Sequence, residues 1–229
     1  MEDILLLIDK PAGITSHDVV DRIRRIYKTR RVGHAGTLDP FATGLLIVGI
    51  NKATKQLTAL VGLDKTYIAT ARLGATSTTQ DPEGTITETE GTSEGASKEP
   101  PTKEQVEEAL ETFRGGYLQT APIYSAKKVN GQKLYELARK GEGADVVLPQ
   151  KQVTISELTI LDYAWPTLTL QVSCSSGTYI RALAQDIGLK LGCGAYLTAL
   201  RRTRIGAYSI EDAKTTEQLA AKLDEKTNL

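Results

Sequence analysis

Residues 31–50 read RVGHAGTLDPFATGLLIVGI, and the reading of this stretch decides the fold. Its first part gathers Gly33, Gly36, Thr37, Pro40, Thr43 and Gly44 around one histidine, His34, and one aspartate, Asp39. Its second part, from Leu45 to Ile50, is an apolar run of strand length. A core segment has no use for so many backbone-permissive residues, and a flexible linker would not carry the apolar run. The stretch therefore reads as a shaped loop fixed to a buried strand. Asp39 precedes Pro40, whose ring pushes the residue before it out of the helical region. Nearby glycines allow sharp turns and the close approach of a bulky ligand. Asp39 is thus a carboxylate on a rigid bend, and the plain alternative is a turn aspartate accepting local amide hydrogen bonds.

Working outward, LLLID at 5–9 reads as a buried strand ended by Pro11 and Gly13. Ser16 is a candidate N-cap for a helix with Val19, Val20, Ile23, Ile26 and Tyr27 on one face. After the quoted stretch come a short helix near 53–60 and an alternating strand at 65–75. Residues 84–101 are acidic and rich in Gly, Ser and Thr, and read as an exposed loop. Thr102 and Gln105 have capping-box spacing and open a helix with Val106, Leu110 and Phe113 inward. Residues 115–131 read as a long irregular segment carrying Tyr124, Lys127 and Lys128. A helix near 132–140 ends at Gly141. Strands near 151–163 and 167–174 follow, then a helix from about Thr178, a strand at 195–203 and a last helix at 215–225. Strands and helices mix without βαβ alternation, which points to an α+β fold with a largely antiparallel or mixed sheet.

The 229 residues allow one large domain or two small ones. Hydrophobic residues make up 40% and charged residues 24%, the balance of a soluble globular chain. No apolar run reaches membrane-spanning length, and the acidic start MEDILLLIDK does not resemble a signal peptide. Cys174 and Cys193 follow no metal spacing and read as reduced core thiols, which points to the cytoplasm. With His17 and His34 the only histidines, a histidine-rich metal site is excluded. Net charge is zero, but residues 80–111 hold ten acids against two lysines, a net of −8, leaving +8 elsewhere. The bases cluster in RIRRIYKTRR at 22–31, in 127–140, and in Arg201, Arg202 and Arg204. Such local patches suit a phosphate backbone, although any one cluster can equally be a solvated face.

Two further residues stand out. Arg181 lies in the first turn of its helix, poorly placed against the helix dipole, and calls for an acidic partner elsewhere. Tyr67 lies in the DKTYIAT strand, where its plain reading is a half-buried strand tyrosine. GxSxG, HExxH, CxxC, GxGxxG and Walker-type motifs are all absent. Any chemistry here would run on a carboxylate, a tyrosine and an arginine.

DKPAGITSHDVV, RRVGHAGTLDPFATGLLIVGINKATK, DKTYIATARLGATSTTQDPEG, APIYSAKKVNGQKLYELARKG and SSGTYIRALAQDIG together resemble the bacterial tRNA pseudouridine-55 synthase family, over residues 9 to about 206. The resemblance implies the α+β pseudouridine synthase fold: a bent mixed sheet flanked by helices, with an active-site cleft across it. It implies one catalytic domain over 1–229, with a thumb-like loop around 115–141 that is mobile without RNA. No C-terminal PUA-type domain is expected. The implied reaction breaks the N1–C1′ bond of the T-loop uridine at position 55, rotates the uracil, and forms a C5–C1′ bond. A role in tRNA folding beside catalysis is a second reading. Asp39 matches the catalytic aspartate, which either adds covalently to the nucleotide or acts as a base at the sugar. Tyr67 matches the tyrosine stacking on the target base, and Arg181 the arginine that pairs with the aspartate. His34, Tyr179, Leu200, Lys10, Lys127 and Lys128 match RNA-binding positions. No cofactor or metal is implied. The partner is the T arm of tRNA, with no membrane, and a monomer is the default. The acidic 80–111 region is expected to face away from the tRNA or to be partly disordered.

Overall fold

The computed structural model describes residues 3–89, 99–125, 127–129, 131–142 and 146–227. In chain order the strands and helices are β1 (Ile4–Lys10), α1 (Ser16–Ile26), β2 (Val32–Ala35), β3 (Thr43–Ile50), a 3-10 turn (Asn51–Gln56), α2 (Leu57–Val61), β4 (Lys65–Leu73), β5 (Ala75–Ser77) and β6 (Ile86–Glu88). There follow α3 (Lys103–Glu111), β7 (Gly115–Thr120), β8 (Lys128–Val129), β9 (Gln132–Lys133), α4 (Leu134–Arg139), β10 (Gln150–Ala164) and β11 (Thr167–Cys174). The chain closes with α5 (Ile180–Lys190), β12 (Ala195–Ile205), β13 (Tyr208–Ser209), a second 3-10 turn and α6 (Thr216–Thr227). Two compact units result, one from residues 1–68 with 200–229, the other from 69–199.

In the first unit, β1 pairs antiparallel with β3 from Ile4↔Ile50 to Lys10↔Gly44. β2 pairs antiparallel along the other edge of β3, Val32↔Ile50 through Ala35↔Ile47. β12 joins β3 in parallel through Arg201↔Thr43 and Arg202↔Gly44, which makes the sheet mixed. The apolar run of β3 is buried on both faces because its alternating side chains feed two cores. Leu46, Val48 and Ile50 pack with Ile8 and with Val19, Val20 and Ile23 of α1. Leu45 and Ile47 pack with Ala35, Leu57, Leu60 and Ile205. Full burial of each such side chain is worth about 1.5–3 kcal/mol, so β3 anchors the loop that precedes it.

In the second unit the strand order is β12-β4-β11-β10-β7. α5 lays Ile180, Leu183, Ala184 and Ile187 over Ala69 and Ala71 of β4, Leu170 and Val172 of β11, and Leu197 of β12. The Thr102–Gln105 capping box is formed, and Val106 and Leu110 of α3 are buried.

Several sequence expectations are corrected. The N-cap of α1 is Thr15, not Ser16: Thr15 Oγ1 accepts the Asp18 N–H, and Asp18 returns a bond to the Thr15 N–H. The quoted loop contains a strand of its own, β2. The helix near 53–60 is divided into a 3-10 turn and α2. Residues 115–120 are not irregular. They form β7, paired to β10 from Gly115↔Ile155 to Thr120↔Gln150, because ladder bonds to a distant strand override the weak local propensity of its glycines. Residues 86–88 of the expected acidic loop form β6, while 90–98 lie outside the described residues.

Candidate active site

In the first unit, the bend at Asp39 is tethered on each side. Leu38, just before it, is held by the buried Ser16 hydroxyl. That oxygen accepts the Leu38 N–H at 2.8 Å and donates to the Leu38 carbonyl at 3.1 Å. Pro40, just after it, offers its carbonyl to the Gly13 N–H at 2.9 Å and to Lys10 Nζ at 3.2 Å. The Ala42 N–H closes a turn on the Asp39 carbonyl at 3.1 Å. Gly36 has φ +85°, a left-handed conformation that glycine adopts without strain. Asp39 itself is half-buried.

Lys10, which the resemblance places among the RNA-binding positions, lies inside the fold. Its side chain is 0% exposed, and Nζ donates to the carbonyls of Pro11, Ile14 and Pro40. A buried ammonium must satisfy its donors, and here it does so by tying the chain after β1 to the Asp39 bend. Arg202, read in sequence as part of a basic patch, is also buried. Its guanidinium donates to the carbonyls of Leu45, Gly36 and Thr37. Arg201 does reach solvent, and it makes a two-pronged pair with Asp9 at 2.8 and 3.1 Å.

His34 is half-buried on β2 opposite Val48. Burial, with the nearby Arg202 charge adding to it, holds its imidazole below the ordinary histidine range. Among the described residues the buried Nδ1 has no hydrogen-bond partner. Tyr67 is buried on the inward face of β4, beyond the half-buried state expected for a plain strand tyrosine. Leu200 on β12 is buried, and its carbonyl faces the Thr43 hydroxyl at 3.5 Å.

In the second unit, Arg181 sits in the first turn of α5, only 5% exposed. The acidic partner that its position called for includes Asp81, with Nη1 to Oδ2 at 3.5 Å. Nη1 also donates to the Thr79 carbonyl at 2.7 Å, and Nη2 to that of Tyr124 at 2.9 Å. Asp81 was counted in the acidic run, but it is buried rather than solvated, with the Glu83 N–H donating to its carboxylate. Tyr179 caps α5 and is half-buried. The buried Gln119 amide grips its backbone on both sides, accepting the Tyr179 N–H at 2.8 Å and donating to the Tyr179 carbonyl at 3.0 Å. Lys127 and Lys128 are exposed. Lys127, Tyr179, Gln119 and Gly177 line one cleft together with Lys151, whose Nζ donates to the Ser176 carbonyl at 2.7 Å.

Sequence reasoning thus missed Ser16 as a loop tether, together with Asp81, Gln119, Lys151 and the buried role of Arg202. The Thr15-x-x-Asp18 spacing could have released Ser16 from the capping role, since it offers a better cap one residue earlier. The other four carry no local signal.

Residues 24–180 match the family model described as TruB family pseudouridylate synthase (N terminal domain), and residues 181–228 match the tRNA pseudouridylate synthase B C-terminal domain. The tRNA pseudouridine synthase B of Mycobacterium sp. (strain KMS) is 49% identical over 220 residues, covering 94% of this chain and 71% of that protein. The enzyme of that name from Thermobifida fusca (strain YX) is 47% identical over 234 residues, covering 96% of this chain and 75% of the other. Among solved structures, a Cbf5-Nop10-Gar1 complex matches with a TM-score of 0.75 at 27% identity, over 98% of this chain and 56% of that one. An H/ACA RNP bound to a substrate RNA containing 2'-deoxyuridine matches at 0.71 and 25%, over 98% and 55%. The chain therefore spans about half the length of these structural neighbours.

Proposed function

The chain belongs to the TruB family of pseudouridylate synthases, and from that premise we propose that Asp39 is the residue through which it isomerises the T-loop uridine of tRNA, at position 55. Its reaction is the conversion of a tRNA uridine to pseudouridine. The N1–C1′ bond breaks, the uracil turns over, C5 bonds to C1′, C5 loses its proton and N1 gains one. Both routes open to Asp39, covalent addition and base at the sugar, need a carboxylate held in one place while the base rotates. The observation that carries the reading is the tethering of that bend, with Leu38 bonded at both its N–H and its C=O and Pro40 bonded by two donors. Placement of this kind is the larger part of what a rigid active-site loop contributes to rate.

Tyr67 and Arg181 complete the proposed catalytic set. A base in a folded RNA loop must leave its stack before C1′ can be reached, at a cost of roughly a few kcal/mol. Stacking on aromatic side chains and phosphate contacts offset that cost. His34, Tyr179 and Leu200 are proposed to meet the flipped nucleotide, and Lys127 and Lys128 the phosphates of the T arm. A monomer suffices for this reading.

The test is pseudouridine formation on an unmodified tRNA transcript by the parent chain and by Asp39→Asn, with tRNA binding measured for both. Product at the T-loop uridine from the parent only, with binding retained in the variant, is the expected result. An active Asp39→Asn would refute the assignment. An isolated T-arm hairpin in the same assay separates T-arm recognition from recognition of the whole tRNA.

A further inference from the structure

We propose that Arg202 is a positioning residue for this isomerisation: its buried guanidinium holds the backbone on both sides of the Asp39 bend and so fixes where the carboxylate sits. The proposal rests on Asp39 being the reacting carboxylate, and it adds a residue on a different strand that acts through the loop.

Arg202 is 1% exposed, among the largest fully buried side chains of the chain. Nε donates to the Leu45 carbonyl at 2.7 Å, Nη2 to that of Gly36 at 2.9 Å, and Nη1 to that of Thr37 at 3.4 Å. Among the described residues it makes no ion pair with a carboxylate. A buried cation without a counter-ion is costly, and for stability alone a well-packed apolar side chain of similar volume serves as well or better. Its burial there calls for a reason other than stability, and its acceptors supply one. Gly36 and Thr37 lie just ahead of Asp39, and Leu45 opens the buried run of β3 just after the loop. The planar guanidinium projects its donors in fixed directions, so one side chain sets the separation between the start and the end of the loop.

The backbone of the same residue adds a second contact. Gly44, at φ +103°, lies opposite Arg202 in the parallel pairing of β3 with β12. A Cβ at position 44 would stand 2.3 Å from the Arg202 carbonyl oxygen, so loop and strand meet there at backbone contact. Residue 202 thus touches the loop near both of its ends. Ser16 and Lys10 hold Leu38 and Pro40 between them. A misplacement of about 1 Å from a change away from the reacting atoms can cost on the order of a hundredfold in rate.

The experiment compares the full chain, Asp39→Asn, Arg202→Gln and Arg202→Lys on one unmodified tRNA transcript. It measures the single-turnover rate of pseudouridine formation and the tRNA Kd, with folding checked by circular dichroism and thermal melting. An inactive parent or an active Asp39→Asn means that the Asp39 reading has failed, whatever the Arg202 variants do. With that reading standing, a folded Arg202→Gln is expected to lose about a hundredfold in rate while Kd stays within about threefold. Arg202→Lys, whose ammonium reaches part of the carbonyl set, should recover about tenfold of that loss. A folded Arg202→Gln within about threefold of the parent rate overturns the proposal, as does a rate loss matched by an equal loss of tRNA affinity. If Arg202→Gln does not fold, Arg202→Lys decides alone: about tenfold slower at unchanged Kd supports positioning, and a rate near the parent's overturns it. Failure of both to fold makes Arg202 a structural residue, and the proposal falls.

Discussion

Replacing Ser16 by Ala tests whether the Asp39 bend must be held rigid. The hydroxyl is buried and makes two bonds to one residue, Leu38, which is 3% exposed and directly precedes Asp39. Alanine fits the space but leaves the Leu38 N–H and C=O facing a dry methyl. A buried polar group left without its partner costs about 1–3 kcal/mol, so the pair together is worth about 2–4 kcal/mol after relaxation. For a chain of this size, about 2–4 °C of melting temperature goes with each kcal/mol, which gives a drop of about 4–16 °C. The single-turnover rate should fall further than stability accounts for, by about tenfold or more at a temperature where the variant is fully folded, because the residue next to the carboxylate has lost its tether. Thr15→Ala is the control. It removes the true N-cap of α1, a loss of about 1 kcal/mol, while the hydrogen bonds of the Thr15 side chain run to Asp18 and, among the described residues, to none of 36–42. Thermal melts and single-turnover assays on both proteins decide the matter. If Ser16→Ala melts with the parent and reacts at the parent rate, or if Thr15→Ala slows the reaction equally, the tether is not what positions Asp39.

Two other predictions follow from single side chains. Burial holds the folded-state pKa of His34 below its ordinary value of 6.5, so the unfolded chain takes up the proton first as pH falls. Stability should therefore be lost as pH falls below about 6.5 toward the folded value, and His34→Gln should flatten that slope in urea midpoints at pH 7.5 and 5.5. Lys151 lines the Tyr179 cleft beside Lys127. If it meets an RNA phosphate, Lys151→Met should weaken tRNA binding with little change in single-turnover rate and lower the slope of log K against log salt by about 0.7–0.9. An unchanged slope would assign Lys151 to the Ser176 carbonyl alone.

Features resting on residues a few positions apart were legible in the sequence. The Thr102–Gln105 cap, the apolar face of α1 and the apolar run of β3 each follow from local backbone geometry and side-chain period. The quoted loop was legible too, because Asp-Pro and clustered glycines restrict the backbone wherever they occur. Misreadings arose where a distant segment decided the outcome. Residues 115–120 have no strand pattern of their own, and β10, thirty to forty residues further on, makes them a strand through its ladder. Ser16 reads as a cap in the sequence because its partner Leu38 lies twenty-two residues away.

The cations mark the same division. Sequence alone determined the family resemblance, the α+β class, and the identity of Asp39, Tyr67 and Arg181 as the residues to watch. It could also say that Arg181 needed an acid. Only the tertiary structure supplied Asp81, a hundred positions away, as one such partner. Only the structure shows Lys10 and Arg202 as internal clamps on the Asp39 loop. The physical reason is that a charge in a sequence has no burial. Whether a lysine or arginine faces solvent or donates to carbonyls inside is fixed by how strands far apart in the chain pair, and here the pairing of β12 with β3 carries Arg202 under the loop.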